Sequence, residues 1–238
     1  MKCKALFTLA LTSALLPAAL RADEPSKWSF DASLYGLAAG MSGNAGIGPV
    51  DANVDTDFDQ LWNHLKFGAM GTVRVGYDKW SLWTDVIYMD LKANAGPITA
   101  EAEQWMVQPA LEYRFNQYLA AYAGTRYNNL DLSLDGPFRF NPSGTHEWWD
   151  PTVGARVSLP LGHKFSFNVS GDVGGVEWGG NDFTWQVYPF FSWQFTQWGS
   201  VQAGYRLLYT DYETGSGFQH FRYDMLTAGP QIGFTFHF

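Results

Sequence analysis

Hydrophobic and polar residues alternate along most of this chain. Between positions 201 and 211 the apolar residues fall on one face of an extended chain: Val201, Ala203, Tyr205, Leu207 and Tyr209. The opposite face carries small or polar residues: Gln202, Gly204, Arg206 and Thr210. A period of two is typical of a β-strand whose two faces meet different surroundings.

The same alternation predicts ten strands in the chain. They lie at roughly 28–40, 65–77, 80–91, 102–115, 118–133, 149–161, 164–178, 183–195, 198–212 and 221–238. No linker, low-complexity tract or second domain interrupts them, so residues 23–238 are predicted to form one domain.

The connections between these strands alternate in length. Tight turns are predicted at 78–79, 116–117, 162–163 and 196–197, and longer loops at 41–64, 92–101, 134–148 and 213–220, with a shorter one at 179–182. Short turns at one end and longer loops at the other are typical of outer-membrane barrels, whose turns face the periplasm. We therefore predict an all-β fold, an antiparallel up-and-down transmembrane β-barrel of about ten strands, with eight or twelve as the alternatives.

The last strand is predicted to run to the final residue, because Ile232, Phe234, Phe236 and Phe238 alternate up to it. Unpaired backbone groups cost several kcal/mol each in hydrocarbon, so a membrane barrel must close by pairing its last strand with its first. A terminal Phe238 on the lipid face, with Phe236 before it, also resembles the signal by which outer-membrane chains are recognised for assembly.

Aromatic residues make up 17% of the chain, and the predicted strands gather them into two belts. One belt lies beside the short turns and the termini: Trp28, Tyr77, Trp80, Tyr113, Phe115, Phe165, Phe195, Trp198 and Phe238. The other lies towards the longer loops: Trp105, Trp148, Trp149, Trp178, Phe183, Tyr209, Tyr212 and Phe221. Aromatic rings sit best at the lipid–water boundary, so two belts indicate two membrane surfaces. The alternative is an exported soluble barrel of the lipocalin sort, but its small interior would be overfilled by 11 Trp and 18 Phe.

The first residues predict export. Lys2 and Lys4 precede an apolar run that ends near Leu20, and cleavage is predicted after Ala22. A charged start, an apolar centre and a small residue at the cut describe a secretory signal peptide, here residues 1–22. The mature chain would then lose Cys3, the only cysteine, and with it any disulfide or thiol chemistry. A net charge of −8 without a basic run excludes nucleic acid as an expected partner.

If the apolar faces meet lipid, the charged strand residues must point into the lumen. Counting by twos places nine of them there: Asp31, Arg74, Asp85, Glu112, Arg114, Arg126, Arg156, Asp172 and Arg206. All the bases are arginine, whose planar group stays charged and binds carboxylates through paired hydrogen bonds. A glycine two residues before Arg126, Arg156 and Arg206 is expected to leave room for the long side chain.

These charges have two competing interpretations. They could line a narrow channel for small solutes or ions, or they could pair across the lumen as a salt-bridged core. A barrel of about eight strands fills its interior with side chains, whereas water-filled porins have about 16–18 strands. Ten strands favour the filled lumen, so the nine charges are predicted to be structural.

Residues suited to catalysis or metal binding are sparse. Hydrolases built on small barrels need Ser and His close together on a strand face, and His237 has no Ser within its strand. The acidic run from Asp55 to Asp59 lacks the Gly and Glu that an EF-hand requires at its sixth and twelfth positions. It is predicted instead to begin a short amphipathic helix over 57–65, with Asp57 as N-cap. We therefore predict no enzyme activity, no cofactor and no metal site, with an outer-membrane hydrolase as the second alternative.

Seven segments, taken in order, resemble a known family: FDQLWNHLKFGAMG, KWSLWTDVIYMDL, WWDPTVGAR, GDVGG, FTWQVYPFFSWQF, GYRLLYTDY and YDMLTAGPQIGFTFHF. Together they resemble small proteobacterial outer-membrane β-barrel proteins, loosely grouped with the OmpA-like and OmpW-like barrels. The resemblance implies location and fold, and it assigns no activity, ligand or catalytic residue. No peptidoglycan-binding domain is expected after the barrel, which weakens a cell-wall-anchoring role.

The sequence as a whole predicts an integral outer-membrane barrel with a filled lumen and a structural or surface-interaction role. Its expected partners are outer-membrane lipid, lipopolysaccharide and, during biogenesis, the barrel-assembly machinery. The oligomeric state stays open.

Overall fold

Antiparallel strands make up nearly all of the structure. A computed structural model describes residues 27–48, 50–57, 59, 65–95, 98–135, 143–178 and 181–238. The predicted signal peptide (1–22), with Cys3, lies outside the described residues, as does most of the predicted helix over 57–65. The strands are β1 (Trp28–Leu37), β2 (Gly40–Ile47), β3 (Val50–Thr56), β4 (Leu65–Tyr77), β5 (Trp80–Ala95), β6 (Ile98–Arg114), β7 (Leu119–Asp135), β8 (Ser143–Pro160), β9 (Phe165–Trp178), β10 (Asn181–Gln194), β11 (Gly199–Thr214) and β12 (Phe221–His237).

Ten of these strands form the wall of a closed barrel. They follow one another in the order β1, β4 and then β5 to β12, and β12 pairs back to β1. The closing pairs run from Asp31 opposite His237 to Leu37 opposite Gln231. Beyond them, the Phe238 N–H donates a hydrogen bond of 2.9 Å to the carbonyl of Phe30. The prediction of a ten-stranded antiparallel barrel is confirmed.

Strands β2 and β3 lie where a loop was predicted, over 41–64. They form a hairpin, and β2 pairs with β12 from Ala228 opposite Gly40 to Phe221 opposite Ile47. The reason is a difference in length, because β1 ends at Leu37 while β12 continues and its backbone groups still need partners. A single strand, β12, is therefore paired by β1 along one half and by β2 along the other.

The barrel has two different ends. At one end, called the turn end, the wall strands are joined at 78–79, 115–118, 161–164 and 195–198. At the other, called the loop end, strands run further than predicted: β5 reaches Ala95, β6 starts at Ile98 and β8 starts at Ser143. A short 3-10 helix, Gly217–Gln219, lies in the connection before β12. No helix among the described residues has the length and apolar character needed to cross a membrane.

The outer face is free of charge for about ten residues from the turn end, the length a membrane-spanning strand needs. On β5 the outward residues from Trp80 to Tyr88 are uncharged, and the next one is Asp90. On β8 the uncharged stretch runs from Leu159 to Trp149 before Glu147. Large apolar side chains in this stretch are exposed, including Leu82, Val153, Val173, Phe191 and Ile232.

Aromatic rings border this charge-free stretch on both sides. At the turn end the rings of Trp80 and Tyr113 are 4.7 Å apart, and at the other border those of Tyr88 and Trp105 are 4.4 Å apart. Three residues predicted for the second belt lie inside the barrel instead: Trp148, Tyr212 and Phe221. The prediction was wrong for these three residues because it used their distance from a loop. Whether a side chain points to the lumen or to the outer face depends on its alternate position along the strand. The side chain of Trp178 lies outside the described residues.

The glycines before the lumenal arginines act differently from the prediction. A Cβ at Gly204 would lie 2.2 Å from the carbonyl oxygen of Pro189, and one at Gly124 would lie 2.2 Å from that of Pro109. At Gly154 a Cβ would lie 2.5 Å from the Tyr122 ring. The lack of a side chain at these glycines therefore lets the neighbouring strand or the Tyr122 ring approach closely. The prediction that they make room for the guanidinium groups is wrong.

Candidate functional site

The lumen contains the main group of polar side chains, supplied by alternate positions of the wall strands. Eight of the nine predicted charges lie there: Asp31, Arg74, Asp85, Glu112, Arg126, Arg156, Asp172 and Arg206. The ninth, Arg114, is exposed at the turn end, where it donates to the backbone carbonyl of Asp78 at 2.6 Å. Arg114 is the last residue of β6, so its side chain reaches the rim and not the interior, which corrects the lumenal assignment.

The most deeply buried ion pair joins β7 to β9. Arg126 and Asp172 are 2.7 Å apart, and neither side chain is exposed. Arg126 also donates to Thr184 at 2.8 Å. Asp172 accepts further hydrogen bonds from Gln108, Tyr122 and Gln186. Each charge in this pair has several partners, which a buried ion pair needs to offset the loss of water.

A second buried ion pair lies nearer the turn end. Arg206 contacts Asp85 at 2.7 Å, and Asp85 also accepts hydrogen bonds of 2.7 Å from Tyr35 and Thr72. Arg206 donates to Gln186 as well. Because the amide nitrogen of Gln186 donates to Asp172, the two buried pairs belong to one hydrogen-bond network.

A third group of charges is less evenly matched. Arg74 donates to both carboxylate oxygens of Glu112. Arg156 approaches the same carboxylate only to 3.6 Å. Two guanidinium groups therefore lie near one carboxylate, and only that of Arg74 is hydrogen-bonded to it.

The most exposed lumenal charges lie near the turn end, and the fully buried ones lie deeper in the lumen. The side chain of Asp31 is 28% exposed, those of Arg156 and Arg74 are 26% and 17% exposed, Arg206 is 5% exposed and Arg126 is fully buried. Solvent exposure is therefore highest near the turn end and absent at the Arg126 pair.

An apolar plug fills the lumen at the loop end. It consists of Leu130, Trp148, Tyr212, Phe221, Tyr223 and Met225, with Met41, Ala45 and Val54 of the β2–β3 hairpin packed against it. Trp148 stacks on Tyr212 with the ring centroids 4.3 Å apart. Between the plug and the Arg126 pair, Asn128 donates to Asp150 at 3.1 Å, and both residues are buried. Counting by twos from Arg156 would have found Asp150, which the sequence prediction missed.

A cavity of about 190 Å³ occupies the turn-end half of the lumen. Its charged lining residues are Asp31, Arg74, Asp85, Arg156 and Arg206. Aromatic lining is supplied by Trp83, Tyr122, Tyr188 and Phe190. Within the described residues, buried side chains therefore pack across the middle and the loop end of the lumen, and a cavity lies at its turn end.

Three residues at the turn end form a chain of hydrogen bonds that the sequence prediction missed. His237 Nε2 lies 2.9 Å from Ser200 Oγ, and His237 Nδ1 lies 2.7 Å from Asp31 Oδ1. The order matches that of a hydrolase triad, and Ser200 is only 5% exposed, so the residue is largely closed off from solvent. The three residues come from β11, β12 and β1, and we interpret them as a clasp across the closing strands. Among the described residues, no three His, Cys, Asp or Glu side chains are grouped as a metal site.

Comparisons with known proteins locate no relative by sequence: no family model matches the chain, and no curated protein matches it. Among solved structures, the chain is similar to Ail, the attachment invasion locus protein of Yersinia pestis, at 10% identity, covering 90% of this chain and 100% of that chain with a TM-score of 0.42. It is similar to a Pseudomonas aeruginosa FadL homologue at 9% identity, covering 89% and 90% with a TM-score of 0.41. It is also similar to the translocator domain of autotransporter NalP from Neisseria meningitidis at 12% identity, covering 91% and 90% with a TM-score of 0.39. Likeness at this level does not transfer a function, which has to be inferred from the geometry of this chain.

Replacing Arg126 by Met should destabilise the folded barrel, because Asp172 would be left as an uncompensated buried charge. Breaking a buried pair typically costs about 3–5 kcal/mol, and urea unfolding of the detergent-folded protein would measure it. Arg114→Met is the matched control and should change the midpoint little, since Arg114 is exposed at the rim. Equal effects of the two substitutions would contradict a structural role for the buried network.

Proposed function

We propose that the protein is an integral outer-membrane β-barrel without enzyme activity, with a structural or surface-interaction role. The observation that carries the proposal is the charge-free outer face, about ten residues deep on each wall strand. Exposed leucine, valine and phenylalanine side chains cover this face, and aromatic rings border it on both sides. Exposing such an apolar surface to water is unfavourable in free energy, whereas contact with hydrocarbon is not.

The turn end would then face the periplasm and the loop end the cell exterior. This orientation accounts for the outward charges, which occur in the loop-end halves of the strands: Asp90, Glu103, Asp131, Glu147 and Asp224 among them. Beyond the hydrocarbon these strands also carry ion pairs between Lys92 and Glu101 and between Arg222 and Asp224. Lipid and lipopolysaccharide are the partners we propose for this outer surface.

A charge placed at the centre of the charge-free face tests the membrane location. Val153 is 60% exposed and lies midway along the uncharged stretch of β8. In lipid vesicles, Val153→Arg should lower the free energy of unfolding by about 2–4 kcal/mol, as expected for arginine at the bilayer midplane. Glu147→Arg, on the same outer face but at the loop end, should have little effect.

A water-exposed barrel would give the opposite result, because Val153→Arg would then be nearly neutral in stability. Solubility of the folded protein without detergent would contradict the proposal in the same way.

The lumen supports the structural role over the alternative of a narrow channel. The fully buried Arg126 pair and the apolar plug lie in series across the lumen. Water that enters at the turn end therefore meets two barriers before the loop end. If no solute passes through the lumen, the surfaces available to contact other molecules are the loop-end extensions of the strands and the β2–β3 hairpin.

The protein should show no steady conductance when it is inserted in a planar bilayer. The control is a variant in which Trp148 and Tyr212 of the plug are both replaced by Ala, which removes one barrier and should produce at most brief openings while the Arg126 pair remains. Steady ohmic conductance of the wild type would establish the channel alternative in place of a filled lumen.

We also propose that Phe238, with Phe236, serves as the signal for the barrel-assembly machinery. Phe238 is 77% exposed, and its ring lies 5.5 Å from that of Phe30 on the outer face. Deleting Phe238 should sharply lower the amount of folded protein in the outer membrane, which a gel of unboiled membranes would measure, because folded barrels migrate differently from boiled ones. Normal assembly of the shortened chain would overturn this role.

A further inference from the structure

We infer that the turn-end cavity is a binding site for a small organic carboxylate that enters from the periplasmic side. The cavity has a volume of about 190 Å³, which is more than a few ordered waters require. It lies beside the best-exposed lumenal charges and ends at the buried network of Arg206 and Asp85. A ligand could therefore enter it but not pass through.

The cavity contains one guanidinium group without a close partner. The carboxylate of Glu112 is held through both oxygens by Arg74, that of Asp85 by Arg206, and that of Asp31 by His237 at 2.7 Å. Among the described residues, the shortest charged contact of Arg156 is the 3.6 Å approach to Glu112, and its Nε has no hydrogen-bond partner. Arg156 is thus the guanidinium group of the cavity that, within the described part of the chain, makes no hydrogen bond to a carboxylate.

The side chain of Arg156 is also accessible from the cavity. It is 26% exposed, whereas the side chain of Arg126, which lies deeper in the lumen, is fully buried. A guanidinium group offers paired donors that match the two oxygens of a carboxylate. An anion with that geometry would give Arg156 the partner that the protein itself does not supply.

The walls of the cavity favour an organic anion over an inorganic one. Trp83 and Tyr122 pack edge to face with ring centroids 5.2 Å apart, and Tyr188 stacks on Phe190 at 4.6 Å. These rings line the same cavity as Arg156. The cavity therefore combines charged groups, in which the carboxylates of Asp31 and Asp85 are already hydrogen-bonded to His237 and Arg206, with an aromatic surface. This combination suits a carboxylate group on a short hydrocarbon chain.

Titration calorimetry with sodium butyrate, on the detergent-folded protein in low salt, tests this site. The wild type should bind butyrate saturably, and Arg156→Gln should weaken binding by about tenfold or more, since a charge-assisted pair is lost. Arg114→Gln makes the same change of charge outside the cavity and should bind like the wild type. Arg156→Lys keeps the charge and should retain part of the affinity even if Arg156→Gln folds poorly.

Butyramide and inorganic phosphate complete the test. Butyramide should not bind, because it lacks the negative charge, and phosphate should bind less tightly than butyrate. The inference is overturned if the folded wild type shows no saturable butyrate binding, if butyramide binds equally well, if phosphate is preferred, or if Arg114→Gln loses as much affinity as Arg156→Gln. Migration of each unboiled sample on a gel separates a failure to fold from a failure to bind.

Discussion

The structure depends on one constraint, which is that every backbone N–H and C=O of the wall must find a partner within the sheet. In hydrocarbon an unpaired backbone group costs several kcal/mol, so an open edge is not tolerated. The first strand is too short to pair the whole of β12, and the β2–β3 hairpin supplies the missing partners. Closure thus explains both why the last strand continues to His237 and why a hairpin stands where a loop was predicted.

The same alternation that closes the wall also separates its two surfaces. Outward positions carry apolar and aromatic side chains, so inward positions receive the charges, and a ten-stranded lumen is narrow enough for those charges to meet. Arg126 and Asp172 come from different strands, as do Arg206 and Asp85, yet each pair makes contact. A polar interior of this kind specifies which strands face each other, because a mismatched register would leave buried charges without partners.

The sequence predicted the strands with strong alternation very well, including β4, whose bounds at Leu65 and Tyr77 agree with the prediction. It missed β2 and β3 because their alternate positions hold Gly, Ser, Asn and Ala, which carry little periodic signal. Of the candidate site, eight of the nine predicted charges lie in the lumen, whereas Arg114 lies at the rim and the buried Asp150 was missed. The pairing of lumenal side chains was not predictable, because partners such as Ser200 and His237 lie on different strands and meet only through the register.

The double pairing of β12 couples closure of the wall to assembly of the plug. The inward residues Phe221, Tyr223 and Met225 of β12 form part of the plug, and His237 at its other end belongs to the clasp with Asp31. The strand that completes the wall is therefore also the strand that completes the seal. Loss of β12 from its place would therefore open the wall and remove three of the six plug residues at once.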